Sequence, residues 1–476
     1  MQRLILKIAV LGALFVAALL LGNWYFKDKN IHVKRMEDFR EIHRSNDSVD
    51  ILFMGNSHAY NTFFPLIFDR KFKTKSFVLA SGAQKLETSL YLFEKEVLSR
   101  KKLPELLVLE VNHMNLEGYK NDNQKLGQYQ VYDNSSLDLQ AIENLGNIFG
   151  RKNLVASTFP VVRNHNNWTE VNPFNASYAF TNVNSYYKNG FVGFQRELKP
   201  NNLDGSLRSE ISNDGKIELI APKIPPYEIT LPPAAKRDLS EFIRLCKQHN
   251  IKLLVVTAPY FQILNGKSSE LASFLEQEEV SYLNFTDSLS SLNLRLNDFA
   301  NKGHLNFKGA KKASNWLAAQ IENSFELAGR EGSDTYEQYI NRYSQTVLNS
   351  GSLSACDYYN EPNHQIDPNR KLNSIGILKE SDDHIAVFFD ISYQAFQRDN
   401  YRVRFTYNKK DRFYLSERAK KLGSFEENFE IQGIAKRQGD RILLLQRNYV
   451  PLKSISKIEL IQKGKGPVFS INGPFE

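Results

Sequence analysis

The 476-residue sequence predicts an α/β protein: a doubly wound parallel-sheet domain behind an N-terminal transmembrane helix, followed by a C-terminal antiparallel β-sandwich. Three patterns carry that expectation. Residues 8–21 form an unbroken apolar run near the N-terminus. Between residues 49 and 325, short apolar stretches of strand length alternate with amphipathic stretches of helical period, the signature of parallel βαβ units. From residue 371 onward, seven short runs alternate apolar and polar residues between turn signals, as sandwich strands do.

The apolar run continues through Gly22-Asn23-Trp24-Tyr25-Phe26. It thereby approaches the ~20 residues that cross a bilayer's hydrocarbon, and Trp24 and Tyr25 suit an interfacial belt. No small-x-small cleavage site follows Leu21 and no cysteine offers a lipid attachment site, so residues 1–26 read as an uncleaved signal anchor with a short cytoplasmic tip. Arg3 and Lys7 precede the span while Lys27, Lys29, Lys34 and Arg35 follow it, which leaves orientation open on charge alone. Residues 27–48 read as a polar, basic juxtamembrane connector with a helix around 33–43.

The α/β domain is expected over residues 49–328. Its strands fall at 51–54, 76–80, 106–111, 252–257 and 282–285, and its helices at 86–99, 234–248, 270–277 and 307–325. Residues 115–233 interrupt this alternation with an insertion rich in Asn, Tyr and Phe, including Asn164-His165-Asn166-Asn167-Trp168 and the aromatic stretch 178–187. Insertions of that length beside a sheet edge are commonly functional. Aromatic and amide side chains suit sugar faces; a surface subdomain with its own small core is the other reading. A charged connector at 329–350 leads to the sandwich at 351–476, with strands at 371–378, 384–393, 401–407, 429–436, 441–446, 457–461 and 468–471. Such modules often bind carbohydrate, although fold alone does not establish it.

With 42% hydrophobic and 12% aromatic residues, the chain can bury cores for two to three domains. Cys246 sits in a helical pattern as a small hydrophobe; a disulfide to Cys356 stays open, and neither has a zinc-ligand spacing. No metal or cofactor is expected. The net charge of +8 is spread over isolated pairs such as Lys101-Lys102, Lys311-Lys312 and Lys409-Lys410. That scatter argues against nucleic acid and, outside a membrane, favours anionic polysaccharide or lipid headgroups.

The most informative stretch is 49–61, VDILFMGNSHAYN, where an apolar strand breaks into Gly55-Asn56-Ser57-His58. Gly55 permits a sharp turn, which leaves Ser57 at the strand's C-terminal edge, where open α/β sheets bind ligands. There Ser57 can cap the next helix or act as a nucleophile, and the turn does not separate the two. Near the domain's end, His304 precedes an amphipathic helix from about Phe307; it is either a structural histidine or a general base reaching back to the sheet edge. Two further strands end in polar residues, Ser81-Gly82-Ala83-Gln84 and Asn112-His113. His113 and His165 are further polar residues that nothing in the sequence assigns to the site.

Together these blocks resemble the SGNH (GDSL-like) hydrolase superfamily, whose first block is Gly-Asp-Ser and whose last is Asp-x-x-His. Here they stand as Gly55-Asn56-Ser57 and Asn301-Lys302-Gly303-His304. By that resemblance Ser57 is the nucleophile, His304 its base, and Gly82 and Asn112 oxyanion donors. The superfamily's Gly-x-Asn pattern is missing around Asn112, since Glu110-Val111 precede it. The carboxylate three residues before the histidine is also replaced, by Asn301. An amide orients the ring without supplying charge, so Asp298, or Asp287 after the fifth strand, is the alternative support if the loop bulges.

The Gly-x-Ser-His form and the anchor look like the membrane-anchored DltD/AlgJ-like branch, whose members work beside polytopic membrane O-acyltransferases to decorate cell-envelope polymers. That resemblance implies an O-acyltransferase or accessory protein working through a Ser57 acyl-enzyme on an envelope polysaccharide, with His58 positioning donor or acceptor. It also implies a single-pass protein of the cytoplasmic membrane with its bulk outside. The alternatives are an extracytoplasmic carbohydrate esterase and an inactive scaffold that binds polysaccharide or a membrane O-acyltransferase.

Overall fold

The computed structural model describes residues 2–27, 31–45, 47–170, 186–194, 196–202, 228, 230–261 and 268–330. In the C-terminal part it describes 359–360, 372–381, 384–392, 401–409, 424–431, 433–438, 441–448, 454–462 and 466–472. The connector beyond residue 330, Cys356 and most of the aromatic stretch 178–187 lie outside the described residues. The chain divides into two compact units, residues 1–69 with 74–328, and residues 70–73 with 329–476.

In the first unit the strands are, in chain order, β1 (Ile51–Gly55), β2 (Ser76–Ala80), β3 (Leu106–Glu110), β4 (Tyr186–Lys188), β5 (Phe191–Gly193), β6 (Lys252–Thr257), β7 (Ser281–Asn284), β8 (Phe299–Asn301) and β9 (His304–Leu305). Five of them form one sheet in the order β2-β1-β3-β6-β7, every neighbouring pair parallel. Counted among themselves these strands run 2-1-3-4-5, an order that reverses between β1 and β3. Ligand sites in such sheets lie beyond the carboxyl ends at that reversal, the edge at which Ser57 and Asn112 stand.

β1, β2 and β3 are buried throughout, consistent with helices on both faces of the sheet. On one face Leu52, Met54, Leu107 and Leu109 join Leu86, Leu92, Leu239 and Phe242 in a single core. On the other, Phe53 packs on Phe63 and Phe68, and Phe285 packs on Trp316 of the helix Phe307–Ser324. That helix is also tied to the segment after β1, because the Phe64 amide donates to Ser314 Oγ at 2.9 Å.

Helix α1 (Gln2–Phe26) has a mean hydropathy of 2.8 over its most apolar 18 residues and no buried residue; it is long and apolar enough to span a membrane. The stretch read as a juxtamembrane connector contains α2 (Ile31–Arg44), which packs onto the sheet edge as part of the domain. Met36 and Phe39 are buried there, with Phe39 5.4 Å from Phe77 of β2. The helix expected at 86–99 is an α-helix, Leu86–Leu92, continued by a π-helical turn, Phe93–Val97. The insertion holds several short helices, among them Leu139–Phe149, Leu154–Thr158 and Pro160–Arg163, and the β4–β5 hairpin. Asn189 O accepts the Val78 amide at 2.9 Å, so this hairpin is pinned to β2. Gly190 at its turn has φ +85°, and a Cβ there would lie 1.9 Å from Val78 O, so only glycine fits.

The second unit contains two antiparallel sheets. One orders Tyr359–Asn360, Leu372–Ser381, His384–Ser392, Arg441–Asn448 and Gly433–Gln438; the other orders Glu426–Glu430, Tyr401–Tyr407, Ile455–Gln462 and Gly466–Asn472. The single strand expected at 429–436 is therefore two, Glu426–Glu430 and Gly433–Gln438, each in a different sheet. Tyr401, Val403, Phe405 and Tyr407 alternate inward, as the period-two pattern requires.

Candidate active site

At the end of β1 the chain turns sharply at Gly55, with φ +148°. A Cβ there would lie 2.8 Å from the Glu110 Cβ and 2.9 Å from its Oε2, so the turn needs glycine to let β1 pass β3. Asn56 then caps α3 (Ser57–Thr62), its Oδ1 accepting the His58 amide at 2.9 Å. With Asn56 as the cap, the hydroxyl of Ser57, the first helical residue, is left for another partner.

That partner is His304. Its Nε2 lies 2.8 Å from Ser57 Oγ, across 247 residues of sequence. Asn301-Lys302-Gly303-His304 forms the tight turn between β8 and β9, with Asn301 paired to His304. Asn301 Oδ1 accepts the Gly303 amide at 2.8 Å and stands 3.0 Å from His304 Nδ1. A backbone amide can only donate, so this atom is the acceptor oxygen and Nδ1 carries the ring proton. Nε2 therefore presents its lone pair to the Ser57 hydroxyl, the arrangement a general base needs.

The charge on this base differs from that of an acid-supported triad. Burial, with a contribution from the nearby Arg196 guanidinium, lowers the His304 pKa to about 4. Asp298 does not stand at His304: its Oδ2 accepts the Arg295 amide and Lys312 Nζ, both at 2.6 Å. Asp287 lies in the 3-10 turn Phe285–Ser288 after β7.

His58 is 5% exposed, its ring stacked on His304 at 5.3 Å and edge-on to Tyr260 at 5.0 Å. Its Nδ1 lies 2.9 Å from Asn56 Oδ1 and 2.8 Å from Asn112 Nδ2. Burial, followed by the neighbouring His304 and His113, holds its pKa well below the usual histidine value. From this position His58 braces the imidazole of His304 from behind.

Asn112 caps the short helix His113–Leu116, and its Nδ2 donates to Glu110 Oε1 at 2.6 Å. The Gly82 amide donates to Gln130 Oε1 at 2.9 Å. Both groups expected as oxyanion donors thus already donate to protein acceptors. Glu110 is fully buried at the end of β3, and burial pushes its carboxyl up to about 8 against the hydrogen bonds it accepts from Asn112 and the Asn56 and Ala258 backbone. That shift favours its protonated form at neutral pH.

Several residues at the site lie outside the motif reading. Glu110 was visible as a lone carboxylate ending an apolar strand. Tyr260, just after β6, is wedged between His58 and His113, 5.2 Å from the latter. The segment after β5 brings Phe194 to 6.0 Å from His304 and the exposed Arg196 near it. His165 lies elsewhere, exposed, with its Nδ1 3.0 Å from Val162 O. Cys246 is buried on the helix Pro233–Gln248, and among the described residues no cluster of His, Cys, Asp and Glu could hold a metal ion.

No protein-family model matches the chain, and no curated protein matches it.

Proposed function

We propose that the chain is a membrane-anchored, SGNH-like O-acyltransferase, or the acyl-carrying accessory of one, acting on a cell-envelope polysaccharide. The observation that carries this reading is the 2.8 Å contact between Ser57 Oγ and the unprotonated Nε2 of His304. In the first half-reaction Ser57 Oγ attacks the carbonyl carbon of an acyl ester, and its proton moves to Nε2. The tetrahedral intermediate collapses, breaking the ester C–O bond, and His304 returns the proton to the leaving alkoxide. In the second, a sugar hydroxyl gives its proton to Nε2 and attacks the acyl-Ser57 carbonyl carbon; the C–Oγ bond breaks and His304 returns the proton to Ser57 Oγ, which leaves the acyl group on the polymer.

The envelope resemblance, not the flanking charge of the helix, favours an N-terminus-in orientation with both folded units outside the cytoplasm. On this reading the two C-terminal sheets pack as a sandwich that holds glycan. Asn301 favours one second reading: a base with no carboxylate behind it is weak, as expected of a scaffold that has lost its chemistry. The test is product partition. With an activated acetyl ester and an added polysaccharide, the transferase reading expects acetyl on the polymer at the expense of free acetate. Acetate alone indicates an esterase, and neither product indicates the scaffold.

A further inference from the structure

Helix α1 is exposed at every residue from 2 to 18, and the body grips only its last turns. Gly22 lies against Val161: a Cβ on it would come within 2.8 Å of Val161 Cγ2. Asn23 Oδ1 accepts the Val161 amide at 3.2 Å, and Asn164 Nδ2 donates to Phe26 O at 2.9 Å. The grip therefore begins where the apolar run 8–21 ends. At 1.5 Å rise per residue, residues 4–21, apolar but for Lys7, cover roughly 27 Å of hydrocarbon, which leaves residues 22–26, roughly 6 Å, to the headgroup layer. Whatever is bonded to them sits at that level.

The bonded segment has the composition that level selects. Trp168 donates its Nε1–H to Val161 O at 2.9 Å yet leaves 53% of its surface exposed, and Trp24 on α1 is 59% exposed. Val155, in the adjoining helix Leu154–Thr158, is 62% exposed, and Arg151 and Lys152 at the start of this segment are exposed cations. Tryptophans with one polar end satisfied, isolated apolar side chains and cations collect at bilayer interfaces.

We propose that residues 151–168 form a membrane foot that rests on the headgroup layer beside α1. Trp168 and Val155 enter the interface, and Arg151 and Lys152 are available to anionic headgroups. The foot fixes the body against the bilayer so that the domain does not swing on a loose tether. This assignment does not depend on the chemistry proposed for Ser57.

The test uses the full chain in vesicles of phosphatidylcholine and phosphatidylglycerol, with and without brominated acyl chains. Comparing the wild type with Trp168→Phe isolates the Trp168 emission from that of Trp24 and of Trp316, which packs on Phe285. Because Trp168 is exposed, that variant should keep the wild-type melting curve. Brominated lipid should quench the Trp168 component by roughly twofold or more, and Val155→Glu or the pair Arg151→Glu and Lys152→Glu should reduce that quenching. The proposal is overturned if the Trp168 component responds to aqueous acrylamide and not to brominated lipid. It is equally overturned if protection appears only when other membrane proteins are added, which would assign the surface to a protein partner. Loss of lipid quenching from Trp24 as well would remove the span itself and the foot with it.

Discussion

His304 shows how much one amide changes. Replacing the triad aspartate of a serine protease by asparagine lowers turnover by about 10⁴-fold, largely through the wrong tautomer. Here Asn301 Oδ1 is held as an acceptor by the Gly303 amide, so the tautomer is correct and only the charge is missing. Asn301→Asp should therefore raise the His304 pKa from its present value of about 4 and increase ester turnover by about 10-fold or more, read from a pH-rate profile. Asp298→Asn should leave that profile unchanged, because Asp298 is committed to Lys312 and the Arg295 amide. A collapse of turnover in Asp298→Asn would show that the base is supported otherwise. The Ser57 and His304 pairing was legible in the sequence because each sits in a short motif with its own local geometry. Tyr260 and Gln130 were not, and Glu110 showed only as a carboxylate ending an apolar strand, since the contacts of all three depend on strand order and loop placement that no local pattern encodes.

At the scale of the element, β3 ends in an ionisable residue buried at the carboxyl edge of the open parallel sheet, and this makes stability respond to pH. Glu110 has its pKa raised to about 8 from an ordinary 4.5. The native state holds a proton that the unfolded chain releases, so the contribution is complete below the unfolded value and is lost as pH rises through the folded one. Relative to Glu110→Gln, the wild type should lose stability between about pH 4.5 and about pH 8 and level off above that, as measured by urea unfolding at each pH. A difference independent of pH would mean that Glu110 is charged in the fold. The strands of this sheet were readable because a parallel strand buried on both faces is an uninterrupted apolar run. The short helices of the insertion, such as Leu154–Thr158 and Pro160–Arg163, were not, because one or two turns leave no periodicity to read. The strand expected at 429–436 merged two real ones because the sequence alternation of polarity runs unbroken from the end of one, Glu430, to the start of the next, Gly433.

At the scale of the whole molecule, the apolar helix is long enough to span a membrane, and its orientation there would decide where any chemistry occurs. Its length was plain in the sequence and its orientation was not, because basic residues flank both ends. A reporter fused after Glu476 should be active only outside the cytoplasm; activity inside would reverse the anchor and remove the envelope role. The contacts between α1 and Val161 and Asn164 could not be anticipated, since they join segments 138 residues apart. The central claim is that Ser57 is a nucleophile activated by His304, and intact-mass analysis of the full chain after exposure to an activated acetyl ester tests it most directly. A nucleophilic Ser57 should carry one acetyl group per chain, absent from Ser57→Ala and strongly reduced in His304→Ala, with both variants melting close to the wild type. An unmodified wild type, or an adduct that persists in Ser57→Ala, would contradict it.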